Sequence, residues 1–195
     1  MSKLYFRYGA MNSGKSTHLM QVAHNYEERG MRVALLKPLT DTKGGDKLVS
    51  RLGVERKVDL VISNKDNVLE KIKAYIDEKG KIDCILVDET QFLKAEQIDQ
   101  LFEIAVCLDI PVICYGLRTD FKMQGFEGST RLLLLAHSIE EMKTICKCGR
   151  KAVLNGRKVN GKFVFEGEQI AIDNSDSIEY ESLCGNCYYK YKNNL

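Results

Sequence analysis

One stretch restricts what this chain can fold into more than any other: Gly9-Ala10-Met11-Asn12-Ser13-Gly14-Lys15-Ser16, between the apolar run Leu4-Tyr5-Phe6-Arg7-Tyr8 and the segment Thr17-His18-Leu19-Met20-Gln21-Val22. It reads as strand, glycine-rich loop and helix in the spacing G-x-x-x-x-G-K-[ST]. Gly9 and Gly14 let the backbone curl so that successive N–H groups, backed by the positive end of a helix, face an anion. Lys15 brings a point charge to the β- and γ-phosphates of a nucleotide, and the Ser16 hydroxyl is placed to hold Mg²⁺. The stretch is an ATP or GTP site and leaves the phosphoryl acceptor open.

Strand and helix patterns alternate behind it. Thr17 to Arg29 is helical with Gly30 as a stop, Met31 to Lys37 is an apolar strand ended by Pro38, and Val58 to Ile62 is a short strand. Asn67 to Lys79 is a helix closed by Gly80, Lys81 to Val87 a strand, Lys94 to Leu108 an amphipathic helix, and Pro111 to Gly116 a strand. Such alternation predicts a parallel α/β sheet whose ligands lie at the carboxyl ends of the strands. Leu39 to Lys57 is a polar connection, of a length that is usually mobile or functional. Leu117 to Ser129 reads as a loop, Leu132 to Leu135 as a buried run and Met142 to Ile145 as a last strand. Beyond Cys146 the chain reads as short strands around turns, with Asn155-Gly156 and Asn160-Gly161 as hairpin signals. The expected division is residues 1–145 as the nucleotide-binding domain and 146–195 as a small second one.

A nucleotide loop of this kind needs a carboxylate opposite it to orient hydrated Mg²⁺. Ile85-Leu86-Val87-Asp88, an apolar strand ending in an acid, fits that need, with a helix N-cap as the structural alternative for Asp88. Glu89 follows at the mouth of the same site, where a carboxylate can accept a proton from an attacking hydroxyl or water.

The seven cysteines fall into two groups. Cys84, Cys107 and Cys114 stand singly in apolar stretches and read as small core residues. Cys146-Lys147-Cys148 and Cys184-Gly185-Asn186-Cys187 form two pairs, and four thiolates at paired spacing suit a closed, structural zinc site. A net charge of +2 with 29% charged residues carries no basic block that would mark nucleic acid as a partner. The chain enters a strand almost at once, without signal-peptide organisation, and has no membrane-length apolar run. The expectation is a cytosolic protein of reduced thiols acting on small molecules.

Taken together, Gly9 to Thr17, Asp88-Glu89-Thr90-Gln91-Phe92, Gly116-Leu117-Arg118-Thr119-Asp120-Phe121, Thr144 to Ala152 and Tyr180 to Cys184 resemble the type II thymidine kinases, the human-cytosolic and bacterial class. The resemblance runs in order through the whole chain. It implies a RecA-like P-loop fold with a small zinc-ribbon-like domain, and transfer of the γ-phosphoryl of ATP to the 5′-hydroxyl of thymidine. Glu89 matches the family's general base, with Lys15 at the phosphates and Mg²⁺ at Ser16 and Asp88. Met11 and Leu117 match residues near the thymine methyl, Phe92 and Phe121 aromatics of the nucleoside pocket, and Tyr180 the tyrosine of a lasso loop that closes over the nucleoside. Gln169, Ile170, Ala171 and Ile172 begin that loop, which here lacks the Gly-Gly pair of relatives. The family is similar in being zinc-bound, homotetrameric and inhibited by dTTP. The alternative from another class is a P-loop NTPase module, of the strand-exchange or motor kind, whose zinc ribbon binds nucleic acid or protein, for which a basic stripe or polymer-dependent turnover is expected; the sequence offers no such stripe.

Overall fold

The computed structural model describes residues 1–39, 47–49, 53, 55–169 and 177–193. In chain order the elements begin with β1 (Leu4–Tyr8), α1 (Lys15–Glu27), β2 (Val33–Pro38), β3 (Lys47–Val49), β4 (Glu55–Lys57), β5 (Leu60–Ile62) and α2 (Val68–Lys79). They continue with β6 (Cys84–Val87), a single 3-10 turn at Thr90–Phe92, α3 (Ala95–Cys107), β7 (Val112–Gly116), α4 (Glu127–Leu135) and β8 (Ser138–Glu141). The chain closes with β9 (Thr144–Ile145), β10 (Lys151–Ala152), β11 (Leu154–Val159), β12 (Lys162–Val164), β13 (Ile178–Leu183) and α5 (Gly185–Lys192).

Six strands form one sheet in the order β5-β2-β6-β7-β1-β8. Every pair in it is parallel, as the alternating pattern predicts. Because side chains alternate along a strand, the apolar runs supply two cores at once. Phe6, Ala34, Leu36, Ile85, Val87, Val112 and Cys114 pack with residues of α2, α3 and α4. Val33, Leu35, Cys84, Leu86, Ile113 and Tyr115 pack with Leu19, Met20 and Ala23 of α1. Burial pushes the Cys84 thiol up to about 12 and the Cys114 thiol up as well, so both stay protonated core residues.

Several local expectations change in the folded chain. Cys107 is exposed, because the helical period of α3 turns Gln97, Ile98, Leu101, Ile104 and Ala105 inward and leaves position 107 off that stripe. Pro38 is the last residue of β2 rather than a residue beyond it, and the connection after it contains the antiparallel pair β3–β4. Leu132 to Leu135 is the end of α4, in which Leu132 is buried and Leu134 is 72% exposed; an apolar run this short has no period of its own. Residues 138–141 form an additional edge strand beside β1, and only Thr144–Ile145 of the stretch 142–145 is strand.

Beyond residue 143 two small antiparallel sheets, β10-β9 and β12-β11-β13, surround a third cluster of Cys146, Ala152, Leu183, Cys184 and Tyr188. Asn160-Gly161 turns β11 into β12, with φ of 50° and 79° as a type I′ turn requires. Asn155-Gly156 is not a turn: it lies inside β11, where a Cβ on Gly156 would meet Leu183 Cδ1 and Phe163 Cε1 at 2.7 Å. Glycine stands there for close packing. Among the described residues no helix is long and apolar enough to cross a membrane.

Candidate active site

Residues 9–14 join β1 to α1, whose first two residues are Lys15 and Ser16. Gly14 caps the helix with φ 77°, a conformation that glycine adopts without strain, and no side chain caps the first turn. By contrast, Asn67 accepts the Glu70 N–H at the start of α2, and Glu127 accepts the Ala95 N–H at the start of α3. The first turn of α1 therefore keeps its N–H groups clear of side-chain acceptors, and the helix dipole adds to their pull on an anion. Gly9 matters for space: a Cβ there would lie 2.4 Å from Ser13 Oγ and 2.5 Å from the Met142 carbonyl. The Lys15 ammonium donates to the carbonyls of Ala10 at 2.9 Å and Gly9 at 3.4 Å and to Ser13 Oγ at 3.3 Å, lying back along the loop.

In the sheet β7 stands between β1 and β6, and Gly9 N–H donates to the Gly116 carbonyl at the end of β7. This order brings the end of β6 to face α1, and Ser16 Oγ donates to Asp88 Oδ2 at 3.0 Å. Asp88 is buried, and its other oxygen, Oδ1, has no hydrogen-bond partner among the described residues. Burial, with Glu89 next to it, holds the Asp88 carboxyl up at about 7. A half-satisfied buried carboxylate beside a serine hydroxyl is a donor set for a hard divalent cation, so the residues fit Mg²⁺. Glu89 is half-buried and has a left-handed backbone, φ 51° and ψ 36°, which turns the chain sharply into the 3-10 turn.

Phe92 ends that turn and meets Phe126 edge to face, 5.7 Å between centroids. Leu117 N–H donates to Gln91 Oε1 at 3.0 Å, and Met11 N–H donates to Asn155 Oδ1 at 2.8 Å. Tyr180 stands opposite Arg157 in the β11–β13 pair. Gln169 Nε2 donates to Asp120 Oδ2 at 3.1 Å. Phe121 is only 1% exposed, beneath the Arg157 guanidinium at 3.8 Å from its ring centroid. Its ring is covered and does not line an open surface. Ile170, Ala171 and Ile172 lie outside the described residues.

The four paired cysteines converge: the sulfurs of Cys146, Cys148, Cys184 and Cys187 all lie within 4.8 Å of one another. Tetrahedral zinc with bonds of about 2.3 Å places its sulfurs roughly 3.8 Å apart, so the cluster needs little adjustment to hold the ion. The Cys187 N–H lowers the Cys184 thiol to about 7, while Cys187, facing the sulfurs of Cys148 and Cys146, is pushed up. Four sulfurs this close ionise together only around a cation.

With this geometry in place, comparison with known proteins decides the family. The family model described as thymidine kinase matches residues 2–188. A thymidine kinase of Shewanella oneidensis is 48% identical over 186 residues, covering 94% of this chain and 95% of the relative. That of Lactobacillus acidophilus is 43% identical over 196 residues, covering 97% of each. The chain belongs to the thymidine kinase family. Among solved structures, a DNA replication initiation factor aligns with a TM-score of 0.40 at 18% identity, over 73% of this chain and 40% of that one. At that distance it says nothing of what a thymidine kinase family member binds.

Within this thymidine kinase family chain, four side chains of the site region escape a reading of the sequence. Arg157 donates to the Tyr180 hydroxyl at 3.0 Å and to the carbonyls of Glu168 at 2.7 Å and Gln169 at 2.8 Å. Asn155 bridges Met11 N–H to the Thr119 carbonyl, to which it donates at 2.9 Å. The Tyr188 hydroxyl, one residue past Cys187, donates to the Phe121 carbonyl at 2.7 Å. Phe126 is buried behind Phe92. Arg157 and Asn155 sit in a strand that reads from sequence as a turn, and only the two aromatics carry a signal that could have drawn notice.

Proposed function

We propose that the protein transfers the γ-phosphoryl of ATP to the 5′-hydroxyl of thymidine, giving dTMP and ADP, and so serves nucleotide salvage. The observation that carries the reading is the Ser16–Asp88 hydrogen bond, which brings the Asp88-Glu89 corner up to the nucleotide loop in a chain matched along its length by thymidine kinases. The 5′-oxygen attacks the γ-phosphorus, the bond from that phosphorus to the β-γ bridging oxygen breaks, and the hydroxyl proton passes to Glu89. Lys15 leaves the loop carbonyls for the transferring group, where negative charge gathers. Ser16 and Asp88 would hold Mg²⁺, which when bound offsets phosphate charge. Met11, Leu117 and Phe92 form the base pocket, backed by Phe121, and Gln169, Ile170, Ala171, Ile172 and Tyr180 cover the nucleoside. Cys146, Cys148, Cys184 and Cys187 hold structural zinc in a small domain, residues 146–195, set on the nucleotide-binding domain, residues 1–145. By the same resemblance the enzyme is a cytosolic homotetramer under dTTP feedback.

The test is ADP release with a panel of nucleosides. Turnover should require thymidine, with deoxyuridine used somewhat less well, since one buried methyl is worth about 1 to 3 kcal/mol. Glu89→Gln should lower turnover by about 10² to 10⁴ while ATP affinity holds. Turnover stimulated by DNA or RNA and indifferent to thymidine would overturn the reading.

A further inference from the structure

The carboxylate assigned the proton transfer does not orient itself. Glu89 sits in a left-handed backbone conformation, a strain of about 1 kcal/mol or more for a residue with a Cβ, and its side chain stands half in solvent. Two residues on, Gln91 is buried, and both ends of its amide are engaged. Its Oε1 accepts the Leu117 N–H at 3.0 Å, and its Nε2 donates to Glu89 Oε2. An amide has one oxygen and one nitrogen, so the buried Leu117 N–H, which accepts no substitute for an oxygen, forces the nitrogen toward Glu89.

The turn that carries Gln91 is itself wedged. Thr90 Oγ1 donates to the Tyr115 carbonyl at 2.9 Å, and Phe92 N–H closes on the Glu89 carbonyl at 3.1 Å. On one side a Cβ at Gly116 would come within 2.7 Å of Thr90 Oγ1 and 2.8 Å of Gln91 Oε1; on the other a Cβ at Gly128 would come within 2.4 Å of the Thr90 carbonyl. Two glycines thus let the turn settle where Gln91 reaches both partners. From this we infer that Gln91 is the positioning residue of the reaction: it holds Glu89 by Oε2, leaves Oε1 to receive the hydroxyl proton, and spans from Glu89 to the backbone of Leu117.

The inference rests on Glu89 as the proton acceptor, and the experiment keeps the two apart. Turnover and both KM values are measured for native enzyme, E89Q, Q91E, Q91M and the double variant E89Q/Q91M, with thermal unfolding of each. Q91E retains an oxygen for the Leu117 N–H but replaces the neutral amide with a second carboxyl that shares a proton with Glu89 and so blunts the base, and it stands in should Q91M fail to fold. Each Gln91 variant should lower kcat about 10- to 100-fold, the cost of a misplaced reacting group, with the KM for ATP and thymidine within about threefold of native. Once Glu89 is already Gln, adding Q91M should change kcat less than about threefold, because there is no longer a base to aim. The same fractional loss in both backgrounds, or native kcat in both Gln91 variants, would overturn the inference. Near-native turnover in E89Q, where Gln91 is intact, would instead remove the base and the inference with it.

Discussion

Arg157→Leu is the substitution whose consequence the structure specifies most fully. The guanidinium makes three hydrogen bonds, to the Tyr180 hydroxyl and the carbonyls of Glu168 and Gln169, and lies 3.8 Å from the Phe121 ring centroid. Charge-assisted bonds net roughly 1.5 to 3 kcal/mol each, and a desolvated cation–π contact about 2. Their simple sum overstates the cost, since contacts of one side chain are not additive and the Glu168 backbone lies in an exposed stretch where water can replace the lost donor. A loss of about 3 to 4 kcal/mol is expected, or a fall in Tm of about 6 to 16 °C at this chain length. Arg157→Lys, which keeps the charge but gathers its donors on one nitrogen in place of a three-nitrogen fork, should lose about half as much. Because the lost contacts converge on Phe121, Gln169 and Tyr180, the KM for thymidine should rise at least tenfold while that for ATP stays within about threefold. The assay is thermal unfolding with zinc counted per chain, followed by steady-state kinetics in each substrate. A Tm fall of less than about 2 °C for Arg157→Leu, or an equal rise in both KM values, would refute the reasoning.

Asp88→Asn should act in opposite directions on stability and activity. A carboxyl held at about 7 in the folded protein, against roughly 3.9 unfolded, must take up a proton on folding between those values, so the metal-free protein loses stability as pH rises from about 4 to 7. In chelator the Asn variant should be more stable than native at pH 8 by a few kcal/mol, with no advantage near pH 4, yet need more Mg²⁺ for turnover; equal unfolding midpoints at pH 8 would show that burial of Asp88 carries no such cost. Zinc removal, or Cys184→Ser, should weaken thymidine binding more than ATP binding, because Tyr188 ties the helix that carries Cys187 to the Phe121 carbonyl. ATP binding should still weaken a few-fold through the Asn155–Met11 contact, and titration of both ligands against zinc-depleted protein checks the order. Depleted protein that binds thymidine as before would remove the cysteines from any link to the pocket.

The nucleotide loop, the acidic end of β6 and the two cysteine pairs were legible in the chain because each is a fixed spacing of residue types within a few positions. The apolar runs of the sheet were legible for a related reason: strands buried on both faces must be apolar throughout, whatever lies beside them. The order of those strands, with β7 between β1 and β6, is a property of packing and decided that Asp88 would face Ser16. β8 carried little local signal, since it is the edge strand Ser138-Ile139-Glu140-Glu141, three of its four side chains in solvent. Asn155-Gly156 has the residues of a turn and sits in a strand, because its glycine packs under Leu183 and Phe163 and its amide reaches Met11, 144 positions away. Gln91 and Arg157 were illegible for the same cause: an amide or a guanidinium has no role until the partners at its two ends are fixed, and here those partners are Leu117, Phe121, Gln169 and Tyr180. Local chemistry determined which groups stand in the glycine-rich loop, at the acidic strand end and in the cysteine pairs. Contacts between distant parts of the chain decided which way those groups point.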